Sequence, residues 1–226
     1  SYGPLALKWN YVPKMIPWFL HYLKNCNKKS MLHTAKYMHQ ILSLSNDAYE
    51  ELFKEVDVNS FVERKGIIYV WTNQNLKSRE LEIKVRNDLG IEQKLLNQKE
   101  ILKLEPNLNP VFDAGVLYEG AMHARNPHGI LKEIFKLFLK KGGKFIKKNI
   151  TSLEQVSEGK TMIKSEKDEH NFEKIVLASG AFSKKLTDQL HEKIPLDTER
   201  GYHVHFKNYE KLLSRPVVWS DRGFGI

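Results

Sequence analysis

Residues 126–190 carry the sharpest punctuation in the sequence, and this stretch restricts most what the chain can fold into. Asn126 is a favoured N-cap, and Pro127 suits the first helical position, where its missing N–H is not needed. Ile130, Leu131, Ile134, Phe135, Leu137 and Phe138 then build a broad apolar face. Lys140 and Lys141 complement the negative end of the helix dipole, and Gly142-Gly143 stop the helix. A strand is predicted over 144–150. Strands over 151–156, 160–164 and 171–178 follow, with turns at 157–159 and 165–169. Ile175-Val176-Leu177-Ala178 is a continuous apolar run, as expected of a strand buried on both faces. Residues 144–148 and 175–178 are therefore expected as parallel members of one sheet, with the preceding helix over one face. The second of these strands ends at Ser179-Gly180-Ala181 and leads into a helix reaching about Leu190.

The rest of the chain alternates in the same manner. Helices are predicted over 11–24, 30–54, 76–89 and 98–104, and strands over 66–72, 114–118, 202–206 and 216–220. The stripe of Leu32, Ala35, Met38, Leu42, Tyr49 and Leu52 reads as core. The helix over 11–24 reads as packed on the core, or alternatively as a peripheral membrane contact through Trp18 and Phe19. Helices and strands in mixed order exclude a helical bundle and a sandwich, so the fold class is α/β (α+β).

Composition removes several function classes. The chain has 226 residues, 41% of them hydrophobic, enough to bury a core in one or two domains. Its single cysteine, Cys26, excludes an internal disulfide and suits a reducing, cytoplasmic compartment. The net charge is +9, but 29 of the 36 basic residues are Lys, and phosphate and base readout favours Arg, so nucleic acid is not the expected partner. No stretch reaches the roughly 20 apolar residues that a membrane span needs. The spacing of Cys and His fits no metal site, and no G-x-S-x-G elbow, P-loop or G-x-G-x-x-G is found.

Two clusters hold chemistry-bearing residues. Gly120-Ala-Met-His123-Ala-Arg125-Asn126-Pro127 precedes the best helix; it reads as a plain connection or as an anion site. Pro195-Leu-Asp-Thr-Glu-Arg200-Gly201-Tyr202-His203-Val-His205 gathers polar, aromatic and cationic groups around a glycine; it reads as an amphipathic strand or as a binding segment.

In order along the chain, these two clusters, the helix closed by Gly-Gly and the Ala178-Ser-Gly-Ala-Phe-Ser183 run resemble the FAD-dependent D-amino-acid oxidase superfamily, most of all the small-subunit type of D-amino-acid dehydrogenase. Met122 and Asn126 stand where members often have Gly and Asp. The resemblance implies a flavin-binding domain interleaved with a substrate domain of mixed sheet and helices: 1–125 substrate domain, 126–191 flavin domain, 192–226 substrate domain again. It places Asn149, Ile150, Ser179, Gly180 and Ala181 at FAD, and His123, Arg200, Tyr202 and His203 at a small amino-acid substrate. The implied reaction is oxidative deamination of D-amino acids, with hydride passing from the α-carbon to flavin N5 and the imine hydrolysing to a keto acid and ammonia. A glycine or sarcosine oxidase-like enzyme and a non-catalytic basic binding module are the alternatives. The implied location is cytoplasmic or peripheral at the inner face of a bacterial membrane. Both ends read as cut. Without G-x-G-x-x-G, the 226-residue chain by itself is expected neither to hold FAD nor to turn over substrate.

Overall fold

The computed structural model of the protein describes residues 9–72, 77–157, 159–196, 198, 201–206 and 212–226. Its contacts divide the chain into two compact units, Ser1–Lys140 with Glu210–Ile226, and Lys141–Tyr209.

The first unit opens with three helices, α1 (Val12–Asn25), α2 (Lys28–Leu42) and α3 (Ser45–Phe53). The single helix expected over 30–54 is thus two. The break has a local cause: the Ser45 hydroxyl donates to the Leu42 carbonyl, a side-chain bond that competes with helix continuation. Asn27 caps α2, accepting from the Ser30 amide at 2.9 Å. The stripe expected to be core stays open, since α1, α2 and α3 hold no buried residue.

The elements that follow are β1 (Val62–Glu63), β2 (Ile67–Trp71), α4 (Lys77–Asp88), β3 (Lys94–Asn97), α5 (Gln98–Leu104), β4 (Ala114–Tyr118), β5 (His123–Ala124) and α6 (Pro127–Lys140). In the second unit come β6 (Ile150–Ser157), β7 (Lys160–Ser165), β8 (Glu169–Phe172) and α7 (Ser183–Thr187); β9 (Val217–Trp219) and β10 (Phe224–Gly225) return to the first. The five-stranded sheet of the first unit runs β10-β9-β2-β4-β3. Its central strand β2 is antiparallel to β4, with Ile68 opposite Leu117, and parallel to β9, with Ile68 opposite Val217.

Alternation along these strands sorts the two faces. Ile68, Val70, Leu96, Leu117 and Val217 form the core with Ile101 of α5 and Phe112. Tyr69, Trp71, Val116 and Tyr118 have the opposite parity, and α4 lays Arg79 over the Trp71 ring and Arg86 over the Tyr118 ring. A buried carboxylate ties the sheet to its flanks. Glu105, 2% exposed, accepts from the Ser214 amide at 2.8 Å, from the Ser214 hydroxyl, and from Arg215 Nε at 3.0 Å. Arg215 Nη1 also donates to the Lys65 carbonyl at 2.8 Å.

The second unit is built on the antiparallel meander β6-β7-β8. Three strand expectations fail here. Residues 144–149 are irregular, with the ladder starting at Ile150; 174–179 leave the meander after Phe172; and 201–206 form no ladder. An apolar extended run becomes a strand only when neighbours take up its N–H and C=O groups, and no described strand of this unit lies beside these segments. Val176, expected in a doubly covered strand, is 90% exposed. The expected parallel pairing of 144–148 with 175–178 is therefore absent.

Candidate functional site

The first cluster lies on β5, whose pairing with β1 sets Glu63 opposite His123 and Val62 opposite Ala124. The sequence offers no strand signal for two such short segments. The chain then turns into α6, where Asn126 Oδ1 accepts from the Gly129 amide at 2.9 Å, the capping bond read from the sequence. Gly129 packs tightly here: a Cβ there would stand 3.0 Å from the Phe61 ring and 2.9 Å from Asn126 Nδ2, so one of these side chains would have to move. Phe61 also takes the Arg125 amide on its carbonyl, at 2.8 Å.

This arrangement leaves a cavity of about 290 Å³ lined by Tyr49, Phe53, Val62, Met122, His123 and Ile130, among others. Apart from the His123 imidazole and the Tyr49 phenol, the lining side chains are apolar. His123 Nδ1 is buried and has no hydrogen-bond partner among the described residues, so it keeps its capacity for a ligand or a water. The guanidinium of the cluster is committed elsewhere: Arg125 pairs with Glu63 at 3.1 Å. Tyr49 and Phe53, with ring centroids 5.6 Å apart, form a wall that sequence reasoning missed. Tyr49 belongs to the stripe that reads as core, Phe53 falls outside it, and nothing in their spacing distinguishes a cavity wall from core.

In the second unit, Ser179, Gly180 and Ala181 make the turn that opens a 3-10 segment, Gly180–Phe182, continued by α7. Gly180 has φ +55° and nothing within 4 Å of where a Cβ would stand. An open, left-handed backbone turn of small residues fits close approach by a large planar or phosphate-bearing group. Ser179 Oγ and Ser183 Oγ lie 3.3 Å apart. Asn149 and Ile150 sit at the start of β6, both exposed. Gln189 couples the two segments: its Oε1 accepts from the Leu153 amide at 3.0 Å and its Nε2 donates to the Thr151 carbonyl at 3.2 Å. The helical stretch after the Gly180 turn is thereby pinned to the strand that Ile150 begins. Gln189 escaped the sequence reading because a surface glutamine near a helix end carries no signal of its own.

Tyr202 and His203 lie in the 201–206 segment, which joins no ladder. Tyr202 is 90% exposed, and the His203 and His205 rings meet edge-on with centroids 4.8 Å apart. Arg200 lies outside the described residues. No described helix is long and apolar enough to cross a membrane.

The fold is that of flavin-dependent oxidases. Glycine oxidase from Geobacillus kaustophilus superposes with a TM-score of 0.59 at 15% identity, over 87% of this chain and 52% of that one. Iminodiacetate oxidase from Chelativorans sp. BNC1 gives 0.59 at 13% identity, over 79% and 50%. With residues 13–226 matching the FAD dependent oxidoreductase (DAO) family, the chain belongs to that family, and FAD is the family's cofactor. The D-amino-acid oxidase of Bradyrhizobium diazoefficiens is 30% identical over 97% of the chain and 52% of its own length. The D-amino acid dehydrogenase of Vibrio atlanticus is 23% identical over 90% and 50%. The chain thus spans about half the length of the curated relatives it matches.

Proposed function

We propose that the chain is part of an FAD-dependent enzyme that oxidatively deaminates D-amino acids. The observation that carries this reading is the 30% identity to a D-amino-acid oxidase across 97% of the chain. In this reading Asn149, Ile150, Ser179, Gly180 and Ala181 serve the flavin, and His123, Arg200, Tyr202 and His203 serve the substrate. When bound, FAD accepts the hydride released from the substrate α-carbon.

The chain's own residues then have distinct tasks. The open backbone at Ser179, Gly180 and Ala181 and the start of β6 at Asn149 and Ile150 hold the cofactor. Gln189 keeps those two segments in register. Arg200 offers the planar fork that a carboxylate takes up in bidentate fashion. Tyr202 and His203 supply further polar contacts, and the imidazole of His123 gives the cavity on β5 a polar anchor.

The test uses the whole protein as its gene encodes it, purified with its flavin. Anaerobic addition of a panel of D-amino acids should bleach the oxidised flavin band, and keto acid and ammonia should form in equal amounts. The L-enantiomers, glycine and sarcosine should bleach it at least about 100-fold more slowly. Arg200→Lys should raise KM for the D-amino acid about 10- to 100-fold, because the point charge stays and the fork is lost. Equal rates with glycine or sarcosine would replace this reading with a glycine or sarcosine oxidase-like one. No bleaching by any of these compounds would remove the amino-acid reading.

A further inference from the structure

The first unit carries a second, larger cleft, about 540 Å³, on the sheet face that α4 partly covers. Tyr69 and Tyr118 both line it, their rings edge-to-face with centroids 5.6 Å apart. Arg86 reaches in from α4, its guanidinium carbon 5.6 Å from the Tyr118 centroid. Ile67 and Ile91 add apolar wall, and Asn46 donates to the Gly120 carbonyl at 3.2 Å on the rim.

The cleft has an excess of hydrogen-bond donors. Arg86 has one acceptor among the described residues, Glu82, which Nη1 reaches only at 3.5 Å, the outer limit of a hydrogen bond. Neither tyrosine hydroxyl has a partner among the described residues. Burial is the first cause that raises the Tyr118 pKa, so this phenol stays protonated and able to donate through the neutral range. Glu92 is the acid on the lining. A forked cation and two phenols call for a planar anionic acceptor; the rings and isoleucines beside them call for an apolar body.

We infer that this cleft binds a small carboxylate with an apolar or aromatic body, its carboxylate on Arg86 and the tyrosine hydroxyls and its body against the Tyr69 and Tyr118 rings. The inference does not depend on the flavin chemistry proposed above. The plainer account is that Arg86 shields an aromatic ring from water. The two differ in one respect: a shielding arginine does not distinguish a carboxylate from its amide.

Isothermal titration of the purified protein with 3-phenylpropionate and 3-phenylpropionamide decides between them. The acid should bind saturably and the amide at least about 10-fold more weakly, as expected for loss of a charge-assisted contact. Arg86→Gln should weaken the acid about 10-fold and leave the amide unchanged. If Arg86→Gln fails to fold, Asn46→Trp on the exposed rim serves instead: it narrows the cleft without touching the cation and should abolish binding of the acid. Equal affinity for acid and amide, no saturable binding of the acid, or affinity unmoved by these substitutions would each overturn the inference.

Discussion

The two units use their apolar residues in opposite ways. In the first, β2 is flanked on both sides, and Ile68 and Val70 are fully buried beneath α5 and Phe112. In the second, Leu153 is the buried apolar side chain among the described residues, while Val156, Phe145, Ile146 and Val176 are largely exposed. Both units hold apolar segments with strand propensity. What separates them is whether a segment gains both a paired neighbour and a covered face: Phe145, Ile146 and Val176 lie outside the meander, and Val156 lies in paired β6 yet stays exposed. Propensity makes a segment eligible for a sheet; pairing and a covered face make it part of a core.

That contrast is open to direct attack. Ile68→Ala should cost about 4 kcal/mol, the loss of a large aliphatic side chain from a fully packed site. Val156→Ala, at 57% exposure, should cost under about 0.5 kcal/mol. Urea unfolding followed by far-UV circular dichroism measures both, and comparable losses would erase the distinction between the units. Glu105→Ala should cost about 3 kcal/mol in the same experiment, because it leaves the Arg215 guanidinium and the Ser214 amide half-buried without their acceptor. A cost below about 1 kcal/mol would show that the first unit's sheet does not depend on this tie to its flanks.

A smaller effect than that at Glu105 concerns the end of β9. Burial works against the Asp221 carboxylate, but the Thr72 amide at 2.7 Å, the Thr72 hydroxyl and the Arg79 guanidinium outweigh it and hold its pKa below the usual range. A depressed folded-state pKa adds stability that is fully present above the unfolded value of about 3.9 and fades as pH falls through the folded value. Asp221→Asn should therefore cost about 1 kcal/mol at neutral pH and nothing measurable once the pH lies below the folded value. A cost independent of pH would mean that the bonds at this corner do not need the charge.

How far the sequence could be read follows the same division. Local chemistry was legible wherever neighbours in sequence settle it: the Asn126 cap, the α6 boundaries, the central strand β2, and the first two strands of the meander. Residues 144–149, 174–179 and 201–206 were misread because the apolar run records eligibility and not the partner. The split of α2 from α3 depends on one hydroxyl at Ser45, which no periodicity reports. At the candidate site, His123 was found from the company it keeps in sequence. Tyr49 and Phe53 come from a helix some seventy residues earlier, and Gln189 acts through its side-chain amide, so neither contribution leaves a trace in local spacing.

The parallel pairing of β2 with β9 has a consequence for how the molecule is made. Ile68 and Val217 lie side by side in the sheet but 149 residues apart along the chain. Closing a loop of that length costs about 4 kcal/mol in chain entropy, regained only after the contact forms. On a ribosome moving at roughly 5–20 residues per second, β2 and β4 emerge about 5–20 seconds before β9. For that interval one flank of the central strand stays unpaired while the whole second unit is synthesised inside the open loop. The nascent chain thus leaves that flank of β2 open for seconds, until β9 arrives to seal it.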